Sequence, residues 1–254
     1  MGRRAGALAL TMVALAGCGL RPPRPLAPTT TGELLDGLGA RRIAVTSMRA
    51  RVSVKAGLAG MWTREALVVQ RPAGVRIDVL SPFGLAVAIG TNGSVLWAFP
   101  PAEGARYEGA ASPENLARFL GVPVAVPDLI DILMGLPPAR VVVGPVHLET
   151  TREREYRLTL PLADGTQTLW FAGDPLVLIR AEEARGEGPV LRVVFGDWQA
   201  ALPRTLDVTV PTTGAAVHLA YDAVEPNVAV DPTVFAPPPA PRVLPLEAVT
   251  TRPG

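Results

Sequence analysis

Alternating apolar and polar positions dominate residues 50–221, and this pattern predicts a mainly β fold. Val52 and Val54, for example, share one face of a strand, while the residues between them face the other way. Turn sequences such as the Asn92-Gly93 pair separate one alternating segment from the next. We therefore predict about ten or eleven strands in one large, strongly curved antiparallel sheet.

Three short helices interrupt or precede these strands. Thr30 and Glu33 have the spacing of a capping box and predict a helix that stops near Gly39. Ser112 is a good N-cap for a second helix, and Pro127 begins a third. Because the third helix is apolar over most of its circumference, we expect it to fill space inside the sheet instead of lying on the surface.

The inner face of such a sheet carries more apolar area than three short helices can cover. Two arrangements remain open on this reasoning. The sheet either closes into a barrel filled by its own side chains, or leaves an apolar cavity that is open at one mouth.

The N-terminus has the pattern of a bacterial secretion signal. Arg3 and Arg4 precede an apolar run, 5–16, that is too short to span a bilayer. The run closes on Leu15-Ala16-Gly17-Cys18, which resembles the lipobox of bacterial lipoproteins. We predict a signal peptide over 1–17 and lipidation of Cys18, the alternative being an ordinary signal peptide with an incidental cysteine.

The segments on either side of the predicted domain are rich in proline. Residues 18–30 are Pro- and Thr-rich without apolar periodicity, which predicts a flexible tether. We place the folded domain at 31–236 and predict a disordered Pro-rich tail over 237–254.

Composition and charge exclude several functions. The net charge of +1 and the lack of a basic cluster argue against nucleic acid as a partner. The single cysteine allows no internal disulfide. His147 and His218 have no third ligand at metal-binding spacing, and no catalytic set is evident, so we expect no metal, no cofactor and no enzymatic activity.

One turn has an unusual residue at its tip. In Leu80-Ser-Pro-Phe-Gly-Leu85, the serine, Pro82 and Gly84 suit a type I turn, which leaves Phe83 at a position that is normally polar. Phe83 either points into the surroundings or folds back onto the sheet.

Two stretches resemble the LolB family, within the LolA/LolB lipoprotein-carrier superfamily. One is the strand–turn–strand 75–85, and the other comprises Phe119-Leu-Gly-Val-Pro-Val124 and Leu129-Ile-Asp-Ile-Leu-Met-Gly-Leu-Pro137. The spacing fits over 48–138, and beyond 140 only the strand pattern is similar. The resemblance implies an unclosed, curved antiparallel barrel with a helical lid over an apolar cavity, and a membrane-inserting loop formed by Pro82, Phe83 and Gly84. We expect the cavity to be lined by Val52, Val54, Trp62, Ile77, Val79, Val87, Ile89, Trp97, Leu129, Ile132, Leu133 and Leu136.

The function implied by this resemblance is that of a receptor. Such a protein accepts the acyl chains of lipoproteins from a LolA-like periplasmic carrier and inserts them into the outer membrane. It would be a monomer, lipid-anchored at the periplasmic face of the outer membrane. The alternatives are a LolB-like lipoprotein that binds another lipid or envelope partner, and a purely structural lipoprotein with a filled core.

Overall fold

One large sheet forms most of the protein in the computed structural model, which describes residues 26–57, 60–186 and 188–248. The strands are β1 Ser47–Ala56, β2 Trp62–Gln70, β3 Gly74–Ser81, β4 Gly84–Thr91, β5 Val95–Phe99, β6 Ala105–Ala110, β7 His147–Thr150, β8 Glu155–Leu162, β9 Gly165–Gly173, β10 Leu176–Arg185, β11 Gly188–Gly196, β12 Thr205–Val210, β13 Ala215–Pro226 and β14 Arg242–Pro245. The helices are α1 Thr31–Ala44, α2 Pro113–Leu120 and α3 Val126–Leu133, with 3-10 turns at Pro101–Glu103, Pro232–Phe235 and Leu246–Ala248.

The sheet is curved and unclosed, with the order β14-β6-β5-β4-β3-β2-β1-β13-β12-β11-β10-β9-β8-β7. All neighbouring strands pair antiparallel except β14, which pairs parallel with β6. The prediction of a mainly β, strongly curved antiparallel fold with three helices is confirmed. The described residues form fourteen strands, more than the ten or eleven expected, and the four-residue edge strands β7 and β14 account for part of the difference.

Helix α1 begins where the sequence predicts and ends later. The capping box is present: Glu33 N donates to Thr30 Oγ1 over 3.2 Å, and Thr30 N donates to Glu33 Oε2 over 2.8 Å. The helix passes Gly39 and ends at Ala44, because its last turn makes tertiary contacts. Arg41 donates to the carbonyl of Gly135 over 3.1 Å, which offsets the roughly 1 kcal/mol helix penalty of a glycine.

Helices α2 and α3 lie against the inner face of the sheet. The Ser112 hydroxyl caps α2 by accepting from Asn115 N over 3.3 Å. Helix α3 buries six of its eight residues, in agreement with its apolar circumference. Its end is tied to the sheet because the Tyr221 hydroxyl on β13 donates to the Leu133 carbonyl over 2.6 Å.

The C-terminal segment packs on the outer face of the sheet. Phe235 covers Gly74 so closely that a Cβ there would lie 2.6 Å from the ring. The Phe235 carbonyl also accepts a hydrogen bond from Trp97 Nε1 over 2.9 Å. This contact gives β3–β5 a second apolar layer outside the barrel, which explains why Trp97 is fully buried.

Of the tail predicted to be disordered over 237–254, the structure describes residues 237–248, and this part packs on the fold. Arg242–Pro245 pairs with β6, and Leu246 is buried in the main core against Gly109. Arg106 on β6 also donates to the Pro238 carbonyl. Proline content misled the prediction here, since a proline-rich chain can still pack when a sheet edge accepts its hydrogen bonds.

The signal peptide over 1–17, the lipidated Cys18 and most of the 18–30 tether lie outside the described residues, which begin at Leu26. Within the part of the chain that is described, no helix is both long and apolar enough to cross a membrane.

Candidate functional site

A cavity of about 530 Å³ lies between the inner face of the sheet and helices α2 and α3. Its volume falls within the roughly 300–1,000 Å³ of typical small-ligand pockets. Strands β1–β4, β12 and β13 form the wall, and α2 and α3 form the lid. The lining residues are Val54, Ala56, Met61, Thr63, Glu65, Leu67, Ile77, Val79, Val87, Ile89, Arg118, Phe119, Leu120, Val122, Leu129, Ile132, Leu133, Leu206, Val208, Val217 and Leu219.

The structure brings eight of the twelve sequence-selected cavity residues together around this space. They are Val54, Ile77, Val79, Val87, Ile89, Leu129, Ile132 and Leu133. The strand residues share one face because the register pairs Ile77 with Ile89 and Val79 with Val87. The helix residues share one face of α3 because they are three and four positions apart.

Four selected residues lie elsewhere. Val52 and Leu136 are buried in the packed core and do not reach the cavity. Trp62 is 56% exposed and sits edge-on to His218, with ring centroids 5.4 Å apart. Trp97 faces outward under Phe235, as described above. The two tryptophans were misplaced because aromatic character does not indicate which face of a strand a residue occupies.

Three polar side chains of the cavity were missed by the sequence reasoning. Thr63 and Glu65 lie on β2 and Arg118 lies on α2. The signal for the first two was present, since Leu67 and Val69 are buried and alternation carries the same face back to Glu65 and Thr63. They were passed over because a polar residue in an alternating strand is normally assigned to solvent.

Met61 marks the mouth of the cavity. It lines the cavity and yet is 87% exposed, so the space opens to solvent beside it. The antiparallel register pairs Arg64 with Leu80, which puts the start of β2 beside the end of β3. The cavity mouth and the 81–84 turn therefore lie at the same end of the sheet.

The turn holds Phe83 out into the surroundings. Phe83 is 100% exposed, so it does not fold back on the sheet. The Ser81 hydroxyl fixes the turn, because it accepts from Phe83 N over 3.2 Å and donates to the Gly84 carbonyl over 3.0 Å. Gly84 has φ 113, which favours glycine, and Pro82 presets the backbone before Phe83. Leu80 and Leu85 beside it are also exposed.

The opposite end of the lid is fixed by ion pairs. Asp131 on α3 accepts from Arg42 over 2.8 Å and from Arg71 over 2.6 Å. Asp128 accepts from both amino groups of Arg140, over 2.8 and 2.7 Å, and Arg140 also contacts Glu183. Hydrogen bonding to Asp128 raises the pKa of Arg140. These ion pairs therefore hold the lid helix α3 in place at the end of the cavity that is far from Met61.

The two histidines lie outside the cavity. His218 Nδ1 is 2.6 Å from Asp207 Oδ1 on the outer face, and His147 is exposed on the edge strand β7. Within the ranges that the structure describes, no group of three or more His, Cys, Asp or Glu side chains could hold a metal ion.

The fold and the cavity together define a container: an unclosed β-sheet with a helical lid and an apolar interior. No protein-family model matches the chain, and no curated protein matches it by sequence. Among solved structures it is similar to a LolA superfamily protein from Nitrosomonas europaea, with 15% identity, a TM-score of 0.51, and 83% of this chain and 99% of that chain covered.

A second similar structure is a domain from Vibrio parahaemolyticus that is described, without an established function, as an outer membrane lipoprotein-sorting protein domain. It has 14% identity and a TM-score of 0.52, over 80% of this chain and 95% of that chain. A DUF1329 family protein from Desulfovibrio piger has 12% identity and a TM-score of 0.53, over 80% and 94% of the two chains. At these identities the likeness establishes that the chain has the LolA-like fold.

Proposed function

We propose that this protein is an outer-membrane lipoprotein receptor, which accepts acylated lipoproteins from a LolA-like periplasmic carrier and inserts them into the outer membrane. The observation that carries the proposal is the position of the cavity mouth. An apolar cavity of about 530 Å³ opens at the end of the sheet that also presents the fully exposed Phe83. Lipidation of Cys18 would anchor the chain at the periplasmic face of that membrane.

The energetics of acyl chains favour this arrangement. Exposing a sixteen-carbon chain to water costs on the order of 12 kcal/mol, at about 0.8 kcal/mol per methylene. Transfer therefore has to run from one apolar environment to another without an intervening aqueous step. A mouth beside an apolar turn meets that requirement, because the turn can touch the bilayer while the cavity still holds the chain.

Phe83 serves to orient the mouth. Moving its ring from water into acyl chains gains about 1.5 to 3 kcal/mol, which is too little to hold a protein at a membrane. Stable attachment requires more than one acyl chain, and that role falls to the lipidated Cys18. The direction of transfer follows from affinity, since the receptor must hold the chains more tightly than the carrier and less tightly than the membrane.

The open cavity argues against a purely structural lipoprotein with a filled core. A LolB-like lipoprotein that binds another lipid has the same cavity and is distinguished only by its cargo. In either case the proposal is a binding protein without cofactor or catalysis.

Cargo transfer tests the proposal. The protein without residues 1–18 is incubated with a triacylated lipoprotein loaded on its carrier, and liposomes are then added. We expect the wild type to take up the cargo and release it, and Phe83→Glu to take it up without releasing it. Ile43→Glu is the matched control, since Ile43 is 80% exposed on α1 at the opposite end of the sheet. If no cargo moves to the wild type, the receptor proposal fails.

A further inference from the structure

The cavity contains a carboxylate that the proposed function does not use. Of the described residues that line the cavity, Glu65 is the only acidic one. Its cross-strand neighbours are Val52 on β1 and Val79 on β3, so the carboxyl group projects from an apolar wall. The Thr63 hydroxyl donates to Glu65 Oε1 over 3.0 Å.

Glu65 is half-buried in the wall of the cavity. Burial raises the pKa of Glu65, because desolvation disfavours its ionised form. Asp131, which is more deeply buried than Glu65, has two guanidinium partners. In the part of the chain that is described, Glu65 forms no ion pair, and Oε2 accepts no hydrogen bond.

The distance from the mouth is suitable for the head of a ligand. Glu65 on β2 lies four residues from Met61, which directly precedes the strand, or about 13 Å at the rise of an extended chain. Beyond it the wall is apolar, with Leu67, Ile77 and Ile89. An amphiphile can therefore place a polar group at Glu65 and its chain against these residues.

We propose that Glu65 selects acyl ligands that carry an N–H donor at the head, such as amides and amines, over free fatty acids. This inference rests on the proposed function, since it assumes that the cavity holds acyl chains. The unfilled oxygen of Glu65 accepts the N–H hydrogen bond. A fatty-acid carboxylate has no proton to donate at neutral pH and is repelled by the same charge.

Arg118 is the opposing charged group of the cavity. It projects from the lid helix α2, and its Nε donates to Asn115 Oδ1 over 3.3 Å. Its remaining N–H groups attract carboxylates and ester carbonyls. Arg118 is therefore left unchanged in the Glu65 variants. Any loss of ligand selectivity can then be assigned to the Glu65 carboxylate alone.

Four ligands with the same sixteen-carbon chain test the inference: hexadecanamide, hexadecylamine, hexadecanoate and hexadecanol. Their affinities are measured by titration calorimetry on the full chain carrying Cys18→Ser, which has no acyl group of its own. We expect the amide and the amine to bind about tenfold more tightly than hexadecanoate, the value of one hydrogen bond to a charged group. Glu65→Leu should abolish this preference, and Glu65→Gln should reduce it mainly for the amine.

Glu225→Gln is the matched control, because Glu225 is an exposed carboxylate on β13 of the same sheet. It should bind all four ligands like the wild type. If the wild type binds all four ligands with the same affinity, and Glu65→Leu does so too, the inference is overturned. The acyl-binding cavity would remain supported. No binding of any ligand would overturn both this inference and the cavity's role in the proposed function.

Discussion

The Asp131 carboxylate on α3 lies 2.6 Å from Nη1 of Arg71, in the turn between β2 and β3. This ion pair joins the lid helix to the end of the sheet that is farthest from the 81–84 turn. Arg42 on α1 approaches the same carboxylate to 2.8 Å, and Ala139 N donates to it over 3.2 Å. One acidic side chain therefore holds two helices and a strand turn together and closes one end of the cavity.

Asp131→Asn should lower the free energy of unfolding by about 3 kcal/mol, because it leaves two guanidinium groups beside a buried position without their counter-charge. The measurement is urea unfolding, monitored by tryptophan fluorescence. Asp36→Asn, at an exposed position on α1, should change the value by less than about 0.5 kcal/mol. Equal effects of the two substitutions would contradict the role assigned to Asp131.

Leu246→Ala should destabilise the protein by about 2 to 5 kcal/mol, since it empties a fully buried position of the core. Val243→Ala on β14, where the side chain is half exposed, is the control and should have a small effect. Urea midpoints compare the two. A disordered tail, as its proline content suggests, would make both substitutions neutral.

Two phenylalanines should behave in opposite ways. Phe83→Ala should leave the free energy of unfolding within about 0.5 kcal/mol of the wild type, because the ring contacts solvent alone. Phe235→Ala should cost about 3 to 5 kcal/mol, because it uncovers Gly74 and Trp97. Thermal unfolding of both variants is the measurement, and a large loss in Phe83→Ala would mean that the ring packs on the protein.

Glu65→Gln should change the pH dependence of stability. Burial raises the pKa of Glu65 in the folded state above its ordinary value of 4.5, so the folded state favours the protonated form. The ionised form therefore opposes folding, and stability falls as the pH rises through the folded pKa. Glutamine lacks this charge, so the variant should be more stable than the wild type at neutral pH.

Well below pH 4.5 the advantage of Glu65→Gln should disappear, because the carboxyl group is protonated in both the folded and the unfolded states. Urea unfolding at neutral pH and at a pH well below 4.5 gives the free energies of unfolding to be compared. Arg118, the other charged group of the cavity, is unchanged in the variant. A gap of the same size at both pH values would refute the desolvation of Glu65.

Much of the fold could be predicted because the alternation is strong. The helix caps at Thr30 and Ser112 were also readable, since capping depends on residues a few positions apart. The end of α1 was not readable, because Arg41 reaches Gly135 across 94 positions of the sequence. The C-terminal strand was missed for the same reason, as its partner β6 lies far away in the chain.

Within the cavity, the limit was the assignment of faces. Alternation gives two possible faces for every strand, and apolar residues on both faces of β5 concealed that Trp97 points outward.

The sequence by itself determined the curved antiparallel sheet, the three helices and the turn at residues 81–84, because these depend on local periodicity and turn chemistry. The structure was needed to show that the Phe83 side chain at the tip of this turn is exposed. Only the tertiary structure decided that the interior is an open cavity, that α3 is fixed at one end by Asp131, and that Glu65 faces an apolar space. Those features depend on strand register and on side chains that meet from distant positions, and local pattern carries no information on either.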